Sequence, residues 1–269
     1  GLGADTRGRF VTIDHATYHA YYNVVANPML WFIQHYLWDL SNAPDIRREE
    51  VEAWRNGYKV VNADIAEATV KAIDGQEAPV VMLHDYHLYT CPGLIREARP
   101  DAFLHYFVHI PWSQPDSWRI LPNRWREEIY RSMLANDIIG FHTTAYCRNF
   151  LQCCRELMEL EVDFERNAVL HQGRETWVRA YPLSIDTRRL HRAAETEEVA
   201  VYEEELLRRR RDYLIIRVDR ADLSKNVLRG FSAFDTFLEQ YPEFRERVTF
   251  IAHLQPSRLD VPEYAEYME

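Results

Sequence analysis

VVMLHDYHLYTCPGLIREARPDAFLHYFVHIP, residues 80 to 111, contains one pattern twice. A short apolar run, Val80 to Leu83, breaks off into His84-Asp85-Tyr86-His87. A helical segment follows from about Pro92 to Ala98, and a second apolar run, Phe103 to Val108, ends at His109-Ile110-Pro111. Strand, helix, strand with near-continuous apolar strands predicts an α/β fold on a parallel sheet covered on both faces. Ligands of such sheets gather beyond the carboxyl ends of the strands. Both strands place ionisable residues there, so this is the expected active-site edge.

Outward from that stretch the pattern continues. Upstream, residues 1 to 12 read as loop or edge. Asp14 is placed to cap a helix carrying Tyr18, Tyr21, Tyr22, Val25, Leu30, Trp31, Ile33 and Tyr36, a stripe expected in the core. A second amphipathic helix spans Arg47 to Ala72. Downstream, a loop with two prolines leads to helices over 116–120 and 124–135, a third strand at Asp137 to Phe141 and a helix from Ala145 to Leu160. Val162 to Arg179 reads as a hairpin around His171-Gln172-Gly173, and Tyr181 to Asp186 as the last element of this half.

The composition then changes. RRLHRAAETEEVAVYEEELLRRRR, residues 188 to 211, is charged throughout and expected to be helical with a solvated face. The acidic run beside Arg208 to Arg211 argues against a nucleic-acid patch. A second α/β unit begins at Tyr213, with a strand at 214–218, an exit loop at 219–226, a helix at 227–240 and a strand at 248–252 opening into His253 to Arg258. The reading is thus an N-terminal domain over 1–186, a charged linker over 187–212 and the start of a second domain over 213–269.

The chain of 269 residues, 47% hydrophobic and 13% aromatic, is long enough for a large buried core. Its net charge of -10 disfavours nucleic acid or an anionic membrane as partner, while local basic clusters can still hold small anions. Cys91, Cys147, Cys153 and Cys154 form no C-x-x-C pair, which points to reduced, packed thiols and the cytoplasm. No apolar run approaches the ~20 residues of a membrane span, and no signal peptide opens the chain. Its beginning at Gly1-Leu2-Gly3 and its end at Glu269 read as cuts within a longer protein.

Three chemistries suit an edge bearing His84, Asp85, His87, His109 and His142. A metal site is disfavoured because His84 and His87 leave a strand and lack the H-E-x-x-H register. Hydrolysis by a serine nucleophile lacks a G-x-S-x-G elbow. A sugar or phosphate site, in which short polar side chains grip hydroxyls, remains open. His84 and His105 are expected only to cap strands and to bond buried backbone. In the second unit, Arg220 and Lys225 lie five apart between strand and helix, where they could join a helix N-terminus facing a phosphate. Neither a P-loop nor a D-x-D is present, and a surface ion pair is the competing reading.

Several motifs in unbroken order sharpen this. HDYHL (His84 to Leu88), HIPW (His109 to Trp112), I-L-P followed by W-R-E-E (Ile120 to Glu128), D-I-I-G-F-H-T from Asp137 and VDRADLSKN (Val218 to Asn226) together resemble the trehalose-6-phosphate synthase family. Tyr22-Asn23 with N-P-M-L-W (Asn27 to Trp31) and P-S-R-x-D-V (Pro256 to Val261) extend the likeness from about Tyr18 to the end.

The resemblance implies a GT-B-like fold of two Rossmann-type parallel-sheet domains, both incomplete here, with the active site in the cleft between them. It implies metal-independent, retaining transfer of glucose from UDP- or GDP-glucose to glucose 6-phosphate, with the nucleotide sugar as co-substrate and no separate cofactor. Arg220 and Lys225 would grip the donor diphosphate. Asp85 and His109 would hold sugar hydroxyls near the reacting carbon. Tyr22 and Trp31, with Asp85, would line the acceptor site, and Arg258 would bind its phosphate. The partners implied are these two small molecules, with no nucleic acid and no membrane; a homo-oligomer is compatible with the sequence.

The departures carry information too. The family's Lys-Gly is Lys225-Asn226 here, its Leu is Ala221, P-I-G-I-D is Pro182 to Asp186 (PLSID), and H-I-P-F-P is His109 to Ser113 (HIPWS). The Trp and the Lys-Asn pair look similar to a side branch that includes the pseudo-glycosyltransferases of validamycin-type biosynthesis, which couple a nucleotide-linked cyclitol to an aminocyclitol phosphate. The family's glycine-rich N-terminal loop and its later acidic ribose-binding motif have no counterpart. The chain alone is therefore expected to turn over weakly or not at all, and a non-catalytic sugar-phosphate-binding module is the third reading.

Overall fold

Asp14 caps the first helix as expected, its carboxylate accepting from the Thr17 amide at 3.0 Å. In the computed structural model, which describes residues 6–38, 46–258, 260 and 262–268, that helix (α1) has three parts. An α-turn, His15–His19, widens into a π-helical stretch, Ala20–Trp31, and closes in an α-turn, Phe32–Gln34. Pro28 lies inside the widened stretch; it has no N–H and its ring opposes ordinary α-turns, so local departure from α geometry follows. The second helix (α2) repeats the device: Arg48–Ala53, a π-turn over Trp54–Tyr58, then Lys59–Ala72.

The two helices meet where Gly57 faces Ala20. A Cβ on Gly57 would lie 2.6 Å from both the Ala20 Cβ and the Tyr21 nitrogen. Alanine ordinarily gains up to about 1 kcal/mol over glycine in a helix. Here the backbone of α1 blocks it, and overpacking costs about 1–3 kcal/mol. Gly57→Ala is accordingly expected to lower the urea midpoint; an unchanged or raised midpoint would mean that the helices do not cross this closely.

The contacts divide the chain into two units, Gly1–Leu183 and Ser184–Glu269. The first holds a six-stranded sheet in the order β1-β2-β3-β6-β5-β4: β1 Val80–His84, β2 Phe103–Val108, β3 Ile138–Phe141, β4 Glu161–Asp163, β5 Ala168–His171 and β6 Arg174–Ala180. The first four in that order run parallel, and the hairpin of β5 and β6, extended by β4, is antiparallel. Helices α3 (Cys91–Ala98), α4 (Pro115–Trp118), α5 (Asn123–Met133) and α6 (Thr144–Met158) connect the strands.

One expectation is corrected here. Burial alternates along β1 and β2: Val81, Leu83, Leu104, Tyr106 and Val108 are buried, whereas Val80, Met82 and Phe103 are 67%, 59% and 42% exposed. Among the described residues the other face of these two strands is largely open. The order β1-β2-β3-β6 never reverses, and right-handed crossovers in one direction place the connecting helices on one face. Apolar side chains on both faces imitate a doubly covered strand, but burial follows the connections.

The second unit has two parallel strands, β7 (Tyr213–Arg220) and β8 (Val248–Gln255), paired from Tyr213↔Val248 to Arg220↔Gln255. Helix α9 (Val227–Gln240) links them, with Phe231 and Phe234 packed on Phe250 at 5.6 and 5.1 Å. Both strands exceed the expected spans, so His253 and Gln255 are strand residues and not exit loop. The charged helix is two, α7 (Thr187–Ala194) and α8 (Glu197–Arg209), because Thr196 starts a new one by accepting from the Val199 amide. Arg208 and Arg209 pair with Glu204 and Glu205 one turn back, as a solvated face requires. Residues 181–186 are coil. A short α10 (Pro262–Met268) closes the described residues. None of the described helices is long and apolar enough to cross a membrane.

Candidate active site

At the exit of β1 the backbone of Asp85 takes φ 65°, a left-handed conformation that aspartate tolerates better than most residues. Its amide donates to the Phe107 carbonyl at 2.8 Å, and its carbonyl accepts from the Tyr106 hydroxyl. So held, the Asp85 carboxylate turns to β2 and accepts from the His109 amide at 3.2 Å. Asp85 and His109, 24 residues apart, are thus brought together. Burial pushes the Asp85 carboxyl above the usual range, opposed by the amides of Tyr86, His109 and Ile110. Burial also lowers the proton affinity of His109; Asp85 works against this, and His84 and His142 reinforce it.

His84 departs from expectation. Its Nδ1 lies 3.1 Å from Nε2 of His109, a side-chain partner in place of the predicted backbone one. His105 departs as well: its Nδ1 is buried with no hydrogen-bond partner among the described residues.

Tyr22, on the π-helical part of α1, stacks between Tyr18 and His87 with centroids 5.3 and 5.7 Å away. It is half-buried and joins α1 to the HDYHL loop. Trp31 is only 3% exposed and stacks on His35 at 3.9 Å, so an acceptor contact requires that ring to be uncovered.

The HDYHL loop rests on a buried polar network that the sequence reading missed. Tyr58 and Asn62, within the stretch read only as an amphipathic helix, reach into it from α2. The Tyr58 hydroxyl donates to the Tyr86 carbonyl at 2.7 Å and accepts from the Tyr89 amide at 3.0 Å. Asn62 donates to the His87 carbonyl at 3.0 Å and accepts from the Thr90 amide at 3.2 Å. Tyr86 in turn donates to Asn27 at 2.7 Å. Spacing of polar residues within an apolar stripe is the available signal, since buried polar groups need partners.

In the second unit, Arg220 ends β7 with its side chain half-exposed, 3.4 Å from the fully buried Asp222. Asp222 builds the loop: its carboxylate accepts from the Ser224 amide and hydroxyl, and its carbonyl from the Lys225 amide at 2.9 Å. Lys225 is exposed and makes no ion pair among the described residues. Arg258, beyond β8, donates to the Tyr264 hydroxyl at 2.7 Å and lies over its ring. Tyr264 also feels Arg220 and Asp222, so Arg220 and Arg258 share one edge of this unit. At the helix end expected to face a phosphate, the Val227 amide of α9 donates to the Tyr267 hydroxyl at 2.8 Å.

Two departures from the family motifs acquire physical reasons. Asn226 adopts φ 52° and ψ 43°. Glycine is the usual occupant of that region and asparagine the next most tolerant. Arg217 fixes this loop by donating to the carbonyls of Lys225 and Asn226. We expect Asn226→Gly to leave the urea midpoint within about 0.5 kcal/mol of the parent, and Asn226→Val to cost about 1–2 kcal/mol. Equal effects of the two would show that the left-handed conformation is not needed. Trp112 has no exposed surface and stacks on Trp118 at 4.6 Å, with Phe150 and Tyr89 edge-on at 5.0 and 5.5 Å. It is a core residue.

All four cysteines are free and buried, and burial pushes the Cys91 and Cys153 thiols up to about 12. Among the described residues no group of three or more His, Cys, Asp or Glu is arranged to hold a metal ion. Leu259 and Val261 of the last motif lie outside the described residues.

The model of glycosyltransferase family 20 matches residues 3–269. The Arabidopsis thaliana alpha,alpha-trehalose-phosphate synthase [UDP-forming] 1 is 34% identical over 255 residues, covering 94% of this chain and 26% of that protein. A validamine 7-phosphate valienyltransferase from Streptomyces hygroscopicus subsp. jinggangensis is 32% identical over 272 residues, covering 99% of this chain and 52% of that protein. Among solved structures, the alpha,alpha-trehalose-phosphate synthase (UDP-forming) from Burkholderia xenovorans in complex with glucose-6-phosphate superposes with a TM-score of 0.81 at 26% identity, over 94% of this chain and 55% of that one. The α/β fold is therefore of the GT-B type. The chain spans about half the length, or less, of these relatives.

Proposed function

The chain belongs to glycosyltransferase family 20, and from that premise we propose that its protein transfers glucose from a nucleoside diphosphate sugar to glucose 6-phosphate, yielding trehalose 6-phosphate. The bond from the anomeric carbon to the diphosphate oxygen breaks, and a bond to the acceptor hydroxyl oxygen forms on the same face. The hydroxyl proton passes to the departing phosphate, so the reaction needs no carboxylate pair of the glycosidase kind and no metal.

Arg220 and Lys225 bind the donor diphosphate, and their charge stabilises it as it leaves. Asp85 accepts a hydroxyl hydrogen bond, and His109 grips a hydroxyl of the transferred sugar. Tyr22, with Trp31 once uncovered, lines the acceptor side, and Arg258 takes the acceptor phosphate. The two sugar phosphates are the partners, no further cofactor takes part, and the reaction belongs in the cytoplasm. The observation that carries this reading is the pair of cations on a loop that Asp222 and Arg217 hold in shape.

A second reading is coupling of a nucleotide-linked cyclitol to an aminocyclitol phosphate, favoured by the likeness to the valienyltransferase across 99% of this chain. A test is release of nucleoside diphosphate from UDP-glucose or GDP-glucose by the intact protein in the presence of a chelator. Release that depends on glucose 6-phosphate is expected. Release that ignores this acceptor, or requires an aminocyclitol phosphate, would sink the first reading.

A further inference from the structure

We propose that His84 is a positioning residue for His109, deciding which ring nitrogen of His109 is left to meet the transferred sugar. What His109 meets rests on the transferase reading above; how it is held does not. His84 Nδ1 and His109 Nε2 are 3.1 Å apart, with ring centroids at 5.3 Å. Such a bond needs one nitrogen with a proton and one without. It therefore commits Nε2 of His109 and leaves Nδ1 for a ligand hydroxyl.

The main chain of His109 is held separately, by the Asp85 carboxylate at 3.2 Å. Two consecutive residues at the exit of β1 thus hold the ring and the backbone of the residue that follows β2. The parallel register makes this possible: His84 pairs with Phe107, so His109 stands two residues beyond its level. The left-handed turn at Asp85 then swings the chain so that both side chains reach across.

Phe107 stands edge-on to His109 at 4.7 Å and to His142 at 5.0 Å, and His142 stands edge-on to His109 at 5.7 Å. His109 is consequently walled by an aromatic ring on β2 and by imidazoles from the neighbouring strands on either side. The titratable groups facing it are His84 and Asp85 from β1 and His142 past β3; His105, lower on β2, also feels His84.

Two variants isolate the bond. Asparagine at position 84 places an amide near where Nδ1 stands, whereas leucine offers no polar group. Nitrogen-15 NMR of the imidazoles in the intact protein without substrates is read first. The parent and His84→Asn should show one His109 tautomer, and His84→Leu a mixture of tautomers. Kinetics come second. His84→Leu should lose about three- to tenfold in kcat/KM for the nucleotide sugar, the scale of one hydrogen bond, with the acceptor KM unmoved and His84→Asn recovering most of the loss. A His109 tautomer unchanged in His84→Leu overturns the proposal, as does unchanged kcat/KM. An intact parent with no transferase activity would instead fail the functional reading, and the NMR result would still decide how His109 is held.

Discussion

Lys225→Ala in the intact protein should lower kcat/KM for the nucleotide sugar by about 10²–10³-fold, the usual cost of removing one group that stabilises charge in the transition state. Its folding should hardly change, because Lys225 is exposed and surface substitutions stay within about 0.5 kcal/mol. Arg220→Ala should lose as much activity but is a less clean experiment. Arg220 faces Asp222, which is fully buried, and an uncompensated buried charge costs about 3–5 kcal/mol. The half-exposed arginine keeps much of that below the limit, yet a loss of stability is expected. Combining Arg220→Ala with Asp222→Asn should restore the urea midpoint without restoring activity. Arg220→Lys keeps the charge but not the planar fork, and should fall between the parent and alanine. Wild-type donor kinetics in Lys225→Ala would remove the diphosphate role.

The second large effect concerns Trp112, whose place after His109-Ile110-Pro111 is one of the departures that make the sequence resemble the pseudo-glycosyltransferase branch. Its ring lies among Trp118, Tyr89, Phe141 and Phe150, with no exposed surface. Trp112→Ala should cost about 3–5 kcal/mol by opening a cavity in the core. Trp112→Phe should cost about 1–2 kcal/mol and leave the acceptor preference where it was. Calorimetry with an acceptor panel checks both. A changed acceptor preference in Trp112→Phe would show that the core residue reaches the site through its neighbours.

What the sequence reveals and what it hides follow the range of the interactions. The strands around Val80 and Phe103, the helix at Val227 and the cap at Asp14 are legible because each depends on neighbours a few residues away. Coverage of the sheet is not, since it depends on the direction of successive crossovers, which the apolar pattern of β1 does not contain. The candidate site residues divide in the same way. Asp85 and His109 in the first unit, and Arg220 and Lys225 in the second, stand out as polar residues at strand ends. Tyr58 and Asn62 do not stand out, because their partners lie 25 to 31 residues away. The His84–His109 bond spans 25 residues and emerges only from the parallel register. Asn226 read as a departure becomes intelligible once its backbone angle is known, and the Tyr267 cap on α9 has no local signal at all.

The most direct test is to identify the product. UDP-glucose labelled with carbon-13 at the anomeric position is incubated with glucose 6-phosphate and the intact protein in a chelating buffer, and the mixture is read by mass spectrometry and carbon NMR. A labelled disaccharide phosphate with the α configuration of the donor retained is the expected result. Labelled free glucose alone, or a coupled product that forms only when an aminocyclitol phosphate and a nucleotide-linked cyclitol replace these substrates, would contradict it.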